Sequence, residues 1–175
     1  MKYKFSEKLP EVAIITPDIF YDFRGEYVET WNYEYYKAIH PKINIEWKQD
    51  DISTSIKGVL RGLHGDDKTW KLVQCLKGSI LVAVVDMKKD SPTYLKSDLF
   101  TINEKNRQQV LVPPGYANGH YVLEDCIFSY KQSTLYQGQG AQFTIRWDDP
   151  KIQIPWPIKE PLLSSRDRNA TILPK

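Results

Sequence analysis

The sequence predicts an all-β fold, an antiparallel sandwich or barrel, built as one domain. Short runs rich in Val, Ile and aromatic residues recur every ~8 to 12 residues, with turn residues between them. Aromatic side chains make up 13% of the chain, including eleven Tyr and five Trp, and they suit strands or a pocket that stacks rings. The 175 residues are enough for one domain with its own core, and they contain no internal repeat.

The first third of the chain is predicted to alternate between strands and one short helix. Pro17 ends the first strand because proline cannot donate to a sheet ladder. Asn32 is a suitable N-cap for the helix, which stops before Pro41. The predicted elements are, in order, a strand at 12–15, a turn at 22–25, a strand at 26–31, the helix at 33–39 and a strand at 43–47.

Strand signals dominate the rest of the chain. Residues 53–57 form a polar connection, while Lys77-Gly78 and the PPG sequence at 113–115 are turn signals. The tail from Pro155 is rich in proline, and we expect it to wrap the body without regular structure. The predicted strands lie at 70–76, 79–86, 97–102, 108–112, 121–123, 126–134 and 143–147, with further turns at 88–93 and 103–106.

Composition excludes several classes of function. A formal net charge of +2 gives no bulk basic field, so no nucleic-acid partner is expected. The N-terminus lacks an apolar core of signal-peptide length and no apolar run approaches a membrane span, so we expect a soluble cytoplasmic protein without a membrane partner. Cys75 and Cys126 lie in apolar runs and are expected to be buried free thiols.

The stretch 58–65 (GVLRGLHG) is the most informative segment. Strict strand alternation would point Arg61 and His64 to opposite faces. Gly62 lies between them, and a glycine inside a strand often marks a bulge or bend. Such a break would turn both side chains into one cavity. The alternative, which the stretch alone leaves open, is a structural histidine and a surface arginine.

A barrel can leave one open end as a ligand cavity. Polar residues that fall on predicted strands are then candidates to line it. They are Gln49, Asp51, Arg61, His64, Lys71, Asn118, His120, Tyr130 and Tyr136.

Several motifs, taken together in chain order, resemble a known family. They are DFRGEYVE at 22–29, QDDISTS at 49–55, GVLRGLH at 58–64, KLV at 71–73, VD at 85–86, DSPT at 90–93, PPG at 113–115, YK at 130–131, WDDP at 147–150 and LSSRD at 163–167. On these motifs the chain resembles the nucleotide-sugar 3,5-epimerases, typified by dTDP-4-dehydrorhamnose 3,5-epimerase. Each motif is weak alone, but the ordered set covers most of the chain.

The resemblance implies a cupin-type jelly roll that dimerises by exchanging N-terminal strands. It also implies an isomerase of deoxysugar biosynthesis, such as supplies capsule polysaccharide, that needs no metal or redox cofactor. The substrate would be a nucleoside-diphosphate 4-keto-6-deoxy sugar. Its ketone acidifies the neighbouring C–H bonds at C3 and C5, so that a base can remove a proton and an acid can return one to the opposite face.

The resemblance assigns four catalytic residues. His64 matches the family's base, and a neutral imidazole has a pKa near working pH. Asp167 matches the carboxylate that pairs with this base, and Lys71 matches a cation beside the oxygen that gains enolate charge. Tyr136 matches the acid, although the spacing from it to Trp147 is one residue longer than usual, so Tyr130 is the alternative.

The resemblance also assigns substrate-binding residues. Arg61 and Arg24 would contact the diphosphate or the sugar, because a guanidinium binds phosphate in a bidentate manner. Arg24 would come from the partner subunit. The residues that would shape the nucleotide and sugar pocket are Gln49, Asp51, Phe20, Tyr27 and Glu29.

The chain departs from the family pattern near the expected sugar site. Asn118 stands where the family has a histidine, and His120 replaces an aromatic residue. Asn cannot carry a proton at neutral pH, but strand alternation places His120 on the same face, where it could take over. Gly65-Asp66-Asp67 replaces the usual Tyr-Gln. These changes resemble a branch that acts on GDP-linked 4-keto-6-deoxy-heptoses, and we treat that substrate as a hypothesis.

Three other functions remain open. An epimerase acting at C3 only or C5 only, or a 3,4-ketoisomerase, would share the first proton abstraction. A metal-dependent cupin needs several converging His ligands and a carboxylate, whereas this chain has three histidines and no His-x-His pair; His40, before Pro41, is expected on the surface. A non-catalytic sugar-nucleotide binder would fit Asn118 but would leave His64 and Lys71 without a role.

Overall fold

The structure is a computed structural model that describes residues 1–40 and 44–174. The described residues form eleven strands, two short α-helices and a 3₁₀ helix at Gln139–Ala141. The elements are β1 (Lys2–Phe5), β2 (Ala13–Thr16), β3 (Ile19–Asp22), β4 (Gly25–Val28), α1 (Tyr33–Lys37), β5 (Gln49–Ser55), β6 (Leu60–Gly65), β7 (Lys71–Asp86), β8 (Ser97–Asn103), β9 (Gln109–Val112), β10 (Tyr116–Gln132), β11 (Phe143–Thr144) and α2 (Ser165–Arg168).

Two long strands, β7 and β10, organise the sheet that nine of the described strands share. They pair antiparallel along most of their length. The first part of β7 pairs with β9 and its second part with β8. In the same way, the first part of β10 pairs with β6 and its second part with β5. Each long strand therefore serves two groups of neighbours, and the sheet folds over on itself. The expected all-β, cupin-type jelly roll is confirmed.

The long strands bend where the sequence signals a turn. Gly78 has a φ of +75°, and a Cβ there would lie 2.1 Å from the carbonyl oxygen of Asp125 on β10. The pairing of β10 with β7 shifts register between Val122 and Glu124 and again before Ile127. A glycine and an irregular ladder thus bend both strands at one level, without reversing either.

Consequently, two pairs of predicted strands are single strands. The predicted turn at Lys77-Gly78 is wrong, because β7 runs through it and joins 70–76 to 79–86. Likewise β10 joins 121–123 to 126–134 and begins already at Tyr116. The turn signal therefore marks a bend within a continuous strand, and the chain does not reverse there.

Smaller differences occur at the edges. The polar connection predicted at 53–57 overlaps strand β5, which pairs with the second half of β10. Residues 44–48 form no regular strand, and Ile43 of the predicted strand 43–47 lies outside the described residues. The last predicted strand, at 143–147, is reduced to a two-residue strand, β11, beside β6. These short or polar segments take their structure from neighbours rather than from propensity.

The predicted helix cap and first hairpin are present. The side chain of Asn32 accepts a hydrogen bond from Glu34 N, and α1 ends earlier than expected, at Lys37. Strands β3 and β4 form a two-stranded hairpin of their own around the predicted turn. In the described residues this hairpin pairs with no other strand, so its aromatic side chains are left exposed.

Both faces of the central strands are buried. Ile80, Val82 and Val84 point into the core inside the jelly roll. Ala83 and Val85, between them in sequence, pack on the other face against the C-terminal tail. A third apolar cluster covers β2, β7 and β9 with α1 and several Trp side chains. This alternation buries both faces of the middle of β7. The polar cavity described below is lined by side chains of β10 and of the start of β7.

The structure also bears on the cysteines and on membrane-spanning helices. Cys75 and Cys126 are buried and form no disulfide in the described part of the chain, as expected. Within residues 1–40 and 44–174, no helix has the length and apolar character needed to span a bilayer.

Candidate active site

A cavity of about 870 Å³ lies among β6, β7, β10, the loop that follows β10 and the short helix α2. It brings together side chains that are up to ~100 residues apart in sequence. Eight of the residues singled out from the sequence line it or point into it: Arg61, His64, Lys71, Asn118, His120, Tyr130, Tyr136 and Asp167.

A bulge in β6 explains how Arg61 and His64 share this cavity. His64 is paired with Asn118 and Arg61 with His120, so Gly62 and Leu63 together oppose the single residue Gly119. Gly62 has a φ of +121°, and a Cβ on it would lie 2.6 Å from Gly119 Cα. Only glycine fits this approach of the two strands. The extra residue restores both polar side chains to one face, as the sequence suggested.

His64 is held by a carboxylate of the tail. Its Nε2 lies 2.6 Å from Asp167 Oδ1, and Ser164 Oγ donates to Asp167 Oδ2 at 2.9 Å. Burial alone would raise the pKa of Asp167, but the hydrogen bonds from His64 and Ser164 outweigh it and the pKa is lowered. Because Asp167 is ionised, Nε2 carries the proton. Nδ1 of His64 is therefore the atom that can accept one.

Lys71 supplies a positive charge at the cavity wall. Burial lowers the pKa of its ammonium group, an effect that nearby Asp66 opposes. Its Nζ donates to Asn118 Oδ1 at 3.2 Å. Because the amide oxygen is engaged in this way, Asn118 has its NH₂ group left to donate to a ligand.

His120 is buried, with 4% of its surface exposed. Its ring stacks on Phe128 with centroids 4.2 Å apart. Burial, and then the charges of Arg61 and His64, lower the pKa of His120 to about 3. The group is therefore a neutral imidazole at working pH, with one donor and one acceptor nitrogen.

Tyr130 and Tyr136 both reach the cavity, but they lie on different parts of the structure. Tyr130 lies on β10, and burial raises its pKa. Tyr136 lies in the following loop, where its backbone N–H donates to Gln49 Oε1 at 2.8 Å. The Asp51 carboxylate accepts hydrogen bonds from Gln49 and from Gln132. Gln49 and Asp51 thus do not line the cavity, and Gln49 contacts the Tyr136 loop. Their assignment to the nucleotide and sugar pocket stays a prediction.

Four further residues assigned from the resemblance are not brought to the cavity by the described part of this chain. Phe20, Arg24 and Tyr27 lie on the β3–β4 hairpin, and Glu29 follows it. Arg24 pairs with its neighbour Asp22 at 2.6 Å, and Glu29 accepts from Asn32 Nδ2 at 3.3 Å. Their assignment to the site stays a prediction that requires a second subunit.

Arg166 and Gln132 are among the cavity residues that were not singled out from the sequence. Arg166 lines the cavity and donates to Thr144 Oγ1 at 2.8 Å. Its only signal was its place next to Asp167 in the LSSRD motif. Gln132 continues the face of β10 that carries Phe128 and Tyr130, so the two-residue periodicity of a strand could have found it.

Histidine placement bears on the metal-dependent alternative. In the described ranges, no three His, Cys, Asp or Glu side chains converge as a metal site requires. His40, expected on the surface, instead packs its ring near Phe5 and Trp70, with centroids 5.4 and 5.1 Å away. The surface assignment of His40 is therefore wrong.

The arrangement combines a proton acceptor with an anion-binding surface. His64 and its carboxylate can take a proton from carbon, while Arg61, Lys71 and Arg166 surround the same space with positive charge. Arg61 is oriented by Ser55 Oγ at 3.0 Å and by the carbonyl oxygen of Thr54 at 3.2 Å. Such a site suits an anionic ligand that becomes more negative during reaction.

Known proteins are similar to this chain in sequence and in fold. A family model described as dTDP-4-dehydrorhamnose 3,5-epimerase matches residues 6–175. A dTDP-4-dehydrorhamnose 3,5-epimerase of Shigella flexneri is 38% identical over 167 residues, which is 93% of this chain and 91% of the relative.

Solved structures agree with the sequence match. The epimerase RmlC of Legionella pneumophila, crystallised with dTDP-4-keto-L-rhamnose, has a TM-score of 0.91 and 33% identity, over 98% of this chain and 93% of that chain. ChmJ of Streptomyces bikiniensis, a 3'-monoepimerase crystallised with dTDP-quinovose, has a TM-score of 0.90 and 26% identity, over 97% of this chain and 87% of that chain. The resemblance read from the motifs is confirmed.

Proposed function

This chain belongs to the dTDP-4-dehydrorhamnose 3,5-epimerase family, and on that premise we propose that it inverts carbons beside the ketone of a nucleoside-diphosphate 4-keto-6-deoxy sugar. The observation that carries the proposal is the 2.6 Å contact between His64 Nε2 and Asp167 inside a cavity ringed by cations. A ketone lowers the pKa of the adjacent C–H bond, and a positioned imidazole can then remove the proton.

The proposed first step breaks a C–H bond at C3 or C5. The proton moves to His64 Nδ1, and the bonding electron pair becomes that of an enolate whose charge lies on the 4-oxygen. Asp167 holds the imidazole in the required tautomer and stabilises the imidazolium that forms. Lys71, placed in the same wall, offsets the charge that develops on the oxygen.

The second step returns a proton to the opposite face of the sugar. A proton donor is required there. We assign this role to the phenol of Tyr136, with Tyr130 as the alternative. Both steps are proton transfers, so the proposed reaction consumes no cofactor. Arg61 and Arg166 would hold the diphosphate or the sugar hydroxyls.

We further propose that two chains form a dimer by exchanging the N-terminal arm. The β3–β4 hairpin exposes several aromatic side chains, among them Phe23 at 98% and Phe20 at 60%, and such an apolar patch favours burial against a partner. The exchange would bring Arg24, Phe20, Tyr27 and Glu29 to the partner's cavity. Sedimentation at micromolar concentration is expected to show two chains per particle, and a monomer would contradict the exchange.

The identity of the sugar is the finer part of the proposal. Asn118, His120 and the Gly65-Asp66-Asp67 segment depart from the family pattern where the sugar is expected, and this supports a GDP-linked 4-keto-6-deoxy-heptose. A dTDP-linked hexose, as the relatives' names indicate for them, is the alternative. ChmJ, named as a 3'-monoepimerase, keeps inversion at C3 alone in consideration.

The experiment is incubation with dTDP- and GDP-linked keto-sugars in heavy water. Deuterium that enters at C3 and C5, counted by mass spectrometry and NMR, is expected if the proposal is right, and its distribution gives the number of inverted centres. Incorporation only with the dTDP-hexose would reject the heptose. Incorporation no faster than in buffer, with every keto-sugar, would reject the epimerase and favour a binding protein.

A further inference from the structure

His120 is buried, yet one of its two ring nitrogens has no hydrogen-bond partner among the described residues. It lines the cavity, yet its Nε2 is buried and has no hydrogen-bond partner among the described residues. A buried polar atom without a partner destabilises the protein, and natural structures contain few of them. Those that persist require an explanation, and a ligand that supplies the missing partner is one.

The surroundings of His120 restrict what that partner can be. The ring is stacked on Phe128, and its strand neighbours across the sheet are Arg61 on β6 and Val82 on β7. The described residues around Nε2 therefore offer it no acceptor or donor, whereas the cavity is open to ligand. The neutral imidazole can present either a donor or an acceptor at Nε2, depending on the tautomer. A hydroxyl group can satisfy both forms, and a carbonyl oxygen can satisfy only one.

The position of His120 relative to the base places this hydroxyl on the sugar. Along β10, His120 is two residues from Asn118, which is paired with His64 across the bulge. Both side chains line the cavity beside His64, and Asn118 has its amide NH₂ available. The two residues thus form one polar edge next to the reacting carbon.

We propose that His120 is a specificity-determining residue that binds a hydroxyl of the substrate's sugar through Nε2, next to the carbon that His64 deprotonates. The proposal rests on the function proposed above. In this proposal His120 contacts the sugar and not the nucleotide, so a change at His120 should affect binding of the sugar alone. In the described residues no side chain or backbone group supplies the partner that the substrate hydroxyl would bring to Nε2.

The test compares wild type with His120→Phe, a change that keeps the stacking on Phe128 and removes the unpaired nitrogen. Three quantities are measured: the thermal midpoint without ligand, and the affinities for dTDP or GDP alone and for the corresponding 4-keto-6-deoxy sugar nucleotide. We expect the midpoint to rise, the affinity for the bare nucleotide to remain unchanged, and the affinity for the sugar nucleotide to fall about tenfold, as for one lost hydrogen bond to a buried group. His120→Gln, which keeps a polar group, should recover part of the loss.

The outcomes separate this inference from the proposed function. Sugar-nucleotide binding that is equal in His120→Phe and wild type overturns the role of His120, whether or not wild type is active. So does an equal loss of affinity for the bare nucleotide, which would show general damage to the site. If wild type incorporates no deuterium but the sugar-selective loss of binding is found, His120 keeps its role and the epimerase proposal fails.

Discussion

The cavity and the β3–β4 hairpin carry the two sets of residues assigned to the site, and they differ in how far one chain completes them. In the cavity, His64, Asp167 and Ser164 are linked by hydrogen bonds, and their surroundings shift the pKa of Asp167. On the hairpin, the hydrogen bonds of the Arg24 side chain within the described residues go to Asp22 alone, and the aromatic side chains are exposed. The residues proposed for proton transfer are thus linked within one chain, whereas we predict that the exposed side chains of the hairpin act in a second subunit.

The largest expected effect is the loss of the base. His64→Asn should lower the rate of deuterium incorporation by about 10²- to 10⁴-fold, since a positioned general base contributes that much. Mass spectrometry of the sugar in heavy water measures it. His40→Asn is the matched control, because His40 lies outside the cavity and packs near Phe5 and Trp70. Equal rates for His64→Asn and wild type, with both folded by circular dichroism, would remove the cavity from the mechanism.

The second effect distinguishes the two tyrosines of the cavity. Tyr136→Phe should lower the rate of inversion about 100-fold, because the phenol that returns the proton is gone, while exchange at the face of His64 continues. Tyr130→Phe is the matched variant and should cost less than tenfold. Product stereochemistry and deuterium content, measured on the same samples, separate exchange from inversion. The reverse order of the two variants would assign the acid to Tyr130.

The difference between the two regions also decides what the sequence could predict. The shared orientation of Arg61 and His64 could be predicted, because a glycine inside a strand often marks a bulge and Gly62 lies between them. By contrast, Arg166 and Gln132 enter the cavity only because the tail and the end of β10 lie beside it. No local pattern encodes such a juxtaposition.

The fold shows the same division. Alternation at 97–102 and the apolar run at 108–112 predicted β8 and β9 nearly to the residue. The polar segment QDDISTS of β5 becomes a strand only by pairing with β10. At Gly78 the positive φ was predictable, but whether the chain bends or reverses there depends on the ladder with β10. Long-range pairing settled both cases.

The third prediction tests whether the hairpin acts in a second subunit. Arg24→Ala should lower kcat/KM by about 10- to 100-fold, the range for a lost charge-assisted contact to phosphate. Mixed dimers with His64→Asn, isolated by two tags after co-expression, should regain about half of wild-type activity, because one of the two sites in each mixed dimer receives both intact residues. No recovery in isolated mixed dimers would place Arg24 and His64 in the same chain's site, or Arg24 outside any site.

The smallest effect is on stability and concerns the buried imidazole. The pKa of His120 falls from its ordinary 6.5 to about 3 in the folded protein, because of burial first and then the charge of Arg61. A group with a depressed pKa stabilises the fold fully above its unfolded pKa and loses that contribution as the pH falls through the folded value. The free energy of unfolding of wild type should therefore decline between about pH 6.5 and 3, and that of His120→Phe should decline less over this range. Urea titrations at several pH values measure both.

The control for that decline comes from the hairpin. Arg24 lowers the pKa of Asp22, but the pair is exposed to solvent, so Asp22→Asn should leave the curve between pH 6.5 and 4 unchanged. Asp167 also has a lowered pKa, and its loss of stabilisation begins only below about its ordinary value of 3.8, equally in wild type and His120→Phe. A shallower decline in Asp22→Asn than in wild type would mean that the acid sensitivity does not arise in the cavity. Parallel curves for wild type and His120→Phe would mean that His120 is already charged or solvated in the unliganded protein, and the contrast between a completed cavity and an incomplete hairpin would then lose its electrostatic basis.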